Sequence, residues 1–424
     1  MSYDEWEWLP LGSLFTIDAG KTMTAAARAG EVKTRFLRTS NVLWDRIDLS
    51  KVDEMTVTSS DLEAKYLKPG DMLVCEGGDI GRAAVWDGGM ENVTFQNHLH
   101  RLRPKRDDVI PRFYVYFLQA AFTQLGLFQG AGNRTTIPNL SSSRLAALSV
   151  PHPSKPEQEA VVDALRHAHD SIELHRQIAR SVRELKGAVM EQAFRSGRCG
   201  AASRESDIGP LPEAWNVEEL GAHHSVSTGA TPSRSNETYW ASGDVPWVKT
   251  AEVDYSTITS TSECITAKAL ADTSVRLYPA GTLLMAMYGQ GVTRGKVAKL
   301  GIEATCNQAC AAIQPIEDRV DTDYLRYFLE WRYDDIRGKA HGGQQQNLNL
   351  DIVRALLIAY PEELAEQREI VDLLSAIDAV EASRRGLELL ATELFQSLLF
   401  NTMTGAFEPV TAPSDNFERR EVPA

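Results

Sequence analysis

The sequence predicts an α+β protein: two similar mixed α/β domains alternate with two long helices, and the helices pair as an antiparallel coiled coil about a pseudo-two-fold axis. Three observations lead there. The chain repeats at an offset of about 209 positions, each copy changes from breaker-rich to helical composition near its end, and both helical stretches carry apolar residues in alternating steps of three and four. A length of 424 residues also exceeds what one core ordinarily organises.

The repeat can be followed along the chain. Leu11-Gly12 with Gly20 returns as Leu220-Gly221 with Gly229. Lys68-Pro69-Gly70-Asp71-Met72-Leu73 returns as Pro279-Ala280-Gly281-Thr282-Leu283-Leu284, followed in both copies by a glycine-rich turn. Gln96-Asn97 matches Asn307-Gln308, Tyr116-Phe117-Leu118 matches Tyr327-Phe328-Leu329, and Asn139-Leu140 matches Asn349-Leu350. Glu157-Gln158 and Glu366-Gln367 close the series. Two copies of one unit are the simplest explanation.

Within each copy, short β-branched and aromatic runs lie between Gly, Pro, Asn and Asp breakers, with a helical patch near 112–124 and its counterpart near 322–337. The stretches 156–195 and 362–403 then lack internal proline and are rich in Ala, Leu, Glu and Arg. The expected seams are Val161, Ala164, Ala168, Ser171, His175, Ile178, Val182, Leu185 and Val189 on one helix, and Ile370, Leu373, Ile377, Val380, Arg384, Leu387, Ala391, Leu394 and Leu398 on the other, with His175 and Arg384 as polar, register-setting interruptions. A helix of about 40 residues is a rod of roughly 60 Å. The domains are expected at 1–153 and 206–360, the helical regions at 154–205 and 361–405, and a flexible tail at 406–424.

Composition narrows the function. The net charge of −14 argues against a broad basic face for nucleic acid, so any DNA contact must come from local patches or be shared with a partner. The 5 cysteines show neither a disulfide framework nor paired metal-ligand spacing, and are expected to be buried or incidental thiols. No apolar run reaches the roughly 18 residues of a membrane span, and Met1–Trp8 is too acidic for a signal peptide; a cytoplasmic protein without a membrane partner is expected.

Several motifs resemble those of a known family. Gly229-Ala230-Thr231-Pro232-Ser233, Trp247-Val248-Lys249-Thr250, Met287-Tyr288-Gly289-Gln290-Gly291, Asn307-Gln308-Ala309, Asn347-Leu348-Asn349-Leu350 and Ala365-Glu366-Gln367-Arg368-Glu369-Ile370 look like the specificity (S) subunit of Type I restriction-modification systems. The resemblance implies that the two domains are target-recognition domains, each reading one half of a bipartite, asymmetric double-stranded DNA site, and that the helices are spacers that set the distance between halves and dock methyltransferase subunits. It also implies that the chain carries no active site and binds no cofactor directly. S-adenosylmethionine would come with two methyltransferase (M) subunits, and ATP and Mg with restriction (R) subunits where these are present.

The residues agree with a non-catalytic role. An adenine methyltransferase needs an Asp/Asn-Pro-Pro-aromatic loop, and no Pro-Pro dipeptide occurs. Gly289–Lys296 lacks phosphate-loop spacing, with Val297 where a Mg²⁺-binding hydroxyl should stand. His98 and His100 have no neighbouring carboxylate cluster and read as strand alternation or a DNA contact.

Reading base edges requires forked donors and acceptors on narrow loops, where glycine permits close backbone approach. In the first copy the candidates are Lys21 and Thr22, then Arg38, Ser40 and Asn41, then Asp79 and Arg82, then Asn133, Arg134 and Thr135. In the second they are Thr231, Ser233 and Arg234, then Lys249 and Thr250, then Tyr288, Gln290, Thr293, Arg294 and Lys296, then Gln344, Gln345 and Gln346. Taken singly, each loop reads equally well as a turn; the case rests on their recurrence at matching places with different side chains. Arg101, Arg103, Lys105 and Arg106 leave phosphate contact and a solvated turn both open. The acidic balance leads us to expect weak, salt-sensitive DNA binding by the isolated chain. A coiled-coil scaffold or adapter with two protein-binding globules remains the alternative.

Overall fold

The computed structural model describes residues 6–22, 24–25, 33–58, 63–126, 140–197, 202–289, 292–339 and 347–405. The chain divides into two compact units, Met1–Arg176 with Gly386–Ala424, and Gln177–Arg385. Each unit is thus one globule with half of each long helix, an arrangement that is not contiguous in sequence.

The same strand order is built twice. In the first unit Phe15–Ala19, Leu99–Pro104, Met72–Cys75 and Ala83–Val85 form an antiparallel sheet in that order. A smaller sheet joins Asp53–Met55, Thr34–Leu37 and, in parallel, Thr94–Phe95, while Glu7–Pro10 pairs with Ser149–His152. The second unit repeats this with His224–Thr228, Cys310–Pro315, Leu283–Ala286 and Val297–Leu300, adding Thr257–Ile258 at the edge. Its smaller sheet joins Cys264–Ile265, Val245–Val248 and Thr305–Cys306, and Asn216–Glu219 pairs with Leu357–Tyr360. Met72–Cys75 and Leu283–Ala286 are buried throughout, as a short uninterrupted apolar run requires when both faces of a strand are covered.

Pro111–Thr123 supplies the helix of the first globule, and Phe113 through Ala121 are all buried, so this helix is core rather than cover. Its counterpart, Thr322–Trp331, starts where the Asp321 side chain accepts from the amides of Asp323 and Tyr324 at 2.9 and 3.1 Å. The helical patch expected to 337 is broken there, and a separate helix covers Tyr333–Lys339.

The long helices span Lys155–Ser196 and Leu364–Met403. The first ends at Gly197, whose φ of +61° no helix continues through, so the helical region is shorter than the expected 154–205, and Ser203–Arg204 pairs with Leu211–Pro212 as strands. At its start the Ser154 amide and hydroxyl both donate to the Glu157 carboxylate, at 2.9 and 2.6 Å.

One buried glutamine ties each helix to its globule. Gln158 donates to the carbonyls of Asp108 and Pro153, each at 2.9 Å, and accepts from the Ile110 amide at 2.9 Å. Gln367 does the same with Arg319 and Pro361, each at 2.9 Å, and with the Asp321 amide at 2.7 Å. Both side chains are fully buried. These backbone groups lie just before the globule's helix or just before the long helix, where no strand or helix partner is available, and the primary amide satisfies three of them at once.

The buried stripe follows the expected seams only in part, at Val161, Ala168 and Ile370. On the first helix it runs through Val161, Leu165, Ala168, Ile172, Ala179 and Met190, while Leu185, expected inside, is exposed. On the second, Ile370, Leu374, Phe395 and Leu399 are buried, whereas Leu373, Val380, Leu387 and Leu394 face outward. The cause is packing on the globules: Val161, Leu165, Phe395 and Leu399 share a core with Phe113 and Phe117, and Ile370 and Leu374 share one with Tyr324 and Phe328. A helix that must cover a globule and a neighbouring helix together turns its apolar face between them. Within the first unit His169 meets Phe395, with ring centroids 5.8 Å apart, and Arg176 reaches Glu388 at 2.7 Å. Within the second, Arg183 reaches Glu381 at 3.5 Å and Lys186 reaches Asp378 at 2.8 Å.

Removing either glutamine leaves buried backbone groups without partners, each worth about 1–3 kcal/mol. Gln158→Ala and Gln367→Ala should each destabilise the chain by about 3 kcal/mol or more in urea denaturation; equal stability to the parent would contradict the role assigned to the amide.

Candidate nucleic-acid interface

Both globules gather their candidate loops through the same backbone crossings. A Cβ at Gly20 would lie 2.3 Å from the carbonyl oxygens of Phe95 and Gln96, and one at Gly229 would lie 2.0 Å from that of Cys306. Only glycine lets one segment cross the other at this distance. The next residue then donates its amide across the crossing, Lys21 to Phe95 at 2.8 Å and Ala230 to Cys306 at 3.0 Å. Gln96 in turn donates to Leu37 at 2.9 Å, and Asn307 to Val248 at 3.0 Å. Three loops therefore converge in each globule.

The third loop is a short turn that presents a cation. The Arg38 amide donates to the Asn41 side chain at 2.9 Å, and the Lys249 amide to the Glu252 carboxylate at 2.7 Å. Arg38 and Lys249 thus occupy equivalent places. Each is paired with an acid near the adjoining antiparallel strand, Arg38 with Asp53 at 2.8 Å and Lys249 with Glu263 at 2.9 Å.

In the first unit, Arg82 joins this group by donating to the Thr39 carbonyl at 2.8 Å and pairing with Asp79, whose side chain is 75% exposed. Lys21 is half-buried, and Thr22 and Ser40 are exposed. In the second unit, Thr231 bonds to the Gln308 side chain, Thr250 donates to Asn307 Oδ1 at 3.0 Å, and Arg234 pairs with Glu263. Ser233 is exposed, its hydroxyl 2.9 Å from that of Ser235. The Met287 amide donates to Ala309 at 2.8 Å, which brings the exposed Tyr288 beside the same turn. Lys296 pairs with Asp254, and Thr293 is half-buried. Asn133, Arg134, Thr135, Gln290, Gln344, Gln345 and Gln346, like the tail 406–424, lie outside the described residues.

Some candidates have internal work instead. Asn41 is buried, and its amide donates to the carbonyls of Asp48 and Lys51 at 2.9 and 2.8 Å, so it builds the turn. Arg294 is only 9% exposed. In the run from Arg101, Arg101 and Arg103 have internal partners, while Lys105 and Arg106 lie in an exposed turn. Arg101 pairs with Asp18 at 2.6 Å, Arg103 forks onto the buried Asp71 at 2.6 and 2.7 Å, Lys105 donates to the Gly12 carbonyl at 2.6 Å, and Arg106 pairs with Asp108. His98 and His100 alternate across the strand start, with His98 exposed; buried His100 donates from Nε2 to the Leu140 carbonyl at 2.8 Å and accepts at Nδ1 from Ser142 at 3.2 Å.

Trp240 and Glu263 belong to the second cluster and were not singled out from sequence, and Trp247 and Gln308, quoted there only within longer motifs, join them. Arg234 donates to the Glu263 carboxylate and, with Lys249, holds it below the usual carboxylate range. Cys75, Cys306 and Cys310 are buried, and Cys264 half-buried, all as free thiols. Burial pushes the Cys75 thiol up to about 11, and contact with Cys310 together with burial pushes Cys306 up, so neither is a ready nucleophile. Among the described residues no cluster of three or more His, Cys, Asp or Glu could hold a metal ion, and no helix is long and apolar enough to cross a membrane.

A family model for the Type I restriction modification DNA specificity domain matches residues 3–184 and 212–389, one match on each copy of the repeat. The type I restriction enzyme MjaIX specificity subunit of Methanocaldococcus jannaschii is 31% identical over 218 residues, 49% of this chain and 47% of that protein, so the match spans about half of either. The putative MjaX specificity subunit of the same organism is 23% identical over 401 residues, covering 91% of this chain and 90% of its own. The crystal structure of a Type-I restriction-modification system S subunit from M. genitalium shares the fold, with a TM-score of 0.59 at 15% identity over 94% of this chain and 96% of that one. With both halves of the repeat matched by one model, the chain belongs to the Type I restriction-modification DNA specificity family.

Proposed function

We propose that this chain reads DNA for a Type I restriction-modification complex, each globule recognising one half of a bipartite, asymmetric double-stranded site. One observation carries the reading: the same crossing and the same turn deliver Arg38 in one globule and Lys249 in the other, among unlike neighbours. A common scaffold with different exposed side chains is what two readers of different half-sites need.

The cations at these loops pair with acids, as in Arg38–Asp53, Arg82–Asp79 and Lys296–Asp254. Exposed pairs contribute only about 0–1 kcal/mol, so DNA can exchange for them at little cost, but they mute the attraction for phosphate. Weak, salt-sensitive binding by the isolated chain follows.

In this reading the globules at 1–153 and 206–360 are target-recognition domains, and the regions 154–205 and 361–405 are the spacers. The long helices pair as an antiparallel coiled coil with pseudo-two-fold symmetry and fix the unread spacing. Contacts within the units support this, because positions on the second helix descend as those on the first rise: His169 with Phe395, Arg176 with Glu388, Arg183 with Glu381, Lys186 with Asp378. Leu373 and Val380 in the second unit, and Leu387 and Leu394 in the first, are exposed at seven-residue spacing, which suits docking of another protein. That partner is a pair of methyltransferase subunits bringing S-adenosylmethionine; restriction subunits, where present, bring ATP and Mg. Catalysis belongs to these subunits, and the chain itself holds no cofactor.

Methylation mapping of host DNA with and without this chain should show adenine methylation disappearing from one motif made of two short half-sites and an unread gap. An unchanged methylation map would remove the DNA-reading role. Val380→Asp with Leu387→Asp should abolish co-purification of methyltransferase subunits without lowering the melting temperature, since both side chains are exposed; undiminished co-purification would exclude this face as the docking surface.

A further inference from the structure

In the second globule Arg234 is held in place from two sides. Its guanidinium carbon lies 3.7 Å from the Trp240 ring centroid and 4.9 Å from that of Trp247. The two indoles meet edge to face, with centroids 5.1 Å apart and an interplanar angle of 87°. Both rings are tied to the loop that carries the arginine: Trp240 Nε1 donates to the Ser233 carbonyl at 3.1 Å, and Trp247 Nε1 to that of Ala230 at 3.0 Å. From the other side, Glu263 accepts from Arg234 Nη1 while also pairing with Lys249 at 2.9 Å. The Arg234 side chain nevertheless stays 52% exposed.

We propose that Arg234 reads a guanine, donating two parallel hydrogen bonds to N7 and O6 of one base in the major groove. The proposal rests on the DNA-reading function above and goes beyond it by giving one side chain one base. A guanidinium has two donating edges. With Nη1 committed to Glu263, the edge formed by Nε and Nη2 keeps the two parallel donors that guanine's paired acceptors require, and no other base presents two acceptors on its major-groove edge. A stacked and ion-paired arginine has lost its rotamer freedom before DNA arrives, so the fork is presented in one orientation and the ordering cost does not fall on binding. The tryptophans hold the reading head, and Glu263 keeps it from collapsing onto the surface.

The test is selection from a pool of random-sequence duplex DNA by the full-length chain together with the subunits that co-purify with it. The parent should enrich a bipartite motif. Arg234→Lys and Arg234→Ala should lose preference at a single G·C pair in one half, by about 5- to 150-fold, with the other half unchanged and melting unaltered. Selection of the same motif with the same preferences by Arg234→Lys would overturn the assignment. So would a uniform loss of affinity across all sequences with a shallower salt dependence, which marks a phosphate contact, or lowered melting with an intact motif. If the parent enriches no motif at all, the DNA-reading function itself fails and this assignment falls with it.

Discussion

Each globule meets its long helix through a buried glutamine, Gln158 or Gln367, whose amide satisfies two carbonyls and one N–H that no regular element reaches. The constraint is severe because a buried backbone group without a partner costs as much as several good surface contacts contribute. It fixes where the helix leaves the globule, and so which helix face turns inward. With that face fixed, Val161 and Leu165, or Ile370 and Leu374, enter the globule's core. The leucines at 373, 387 and 394 are left outward.

A second constraint is electrostatic. The net charge is −14, and Arg38, Arg234 and Lys249 at the converging loops are paired with Asp or Glu. Such pairs orient a side chain more than they stabilise the fold. The globules therefore carry aimed side chains rather than a sticky basic face, which suits the DNA-reading role proposed above.

Much of the architecture was legible in the sequence, since duplication leaves matching turns and glycines that need no three-dimensional knowledge. Gly20 and Gly229, Gln158 and Gln367, and both long helices were visible this way. The phase of the helix stripes was not, because it depends on residues remote in sequence, such as Tyr324 and Phe328 packed against Phe194. The internal work of Arg101 and Arg103 was hidden for the same reason: Asp18 and Asp71 are remote in sequence and adjacent only through strand pairing. Trp240 carried no signal in the sequence and Trp247 stood only within a longer motif; their closeness to Arg234 emerges in three dimensions.

The coupling of globule to helix can be measured directly by native-state hydrogen exchange on the full chain as denaturant is raised. Peptides covering 111–123 and 158–172 should lose protection in one step, as should those covering 322–331 and 367–380, because each pair is joined through its glutamine and shares a core. Helix segments that open at low denaturant while their globules stay protected would contradict the account.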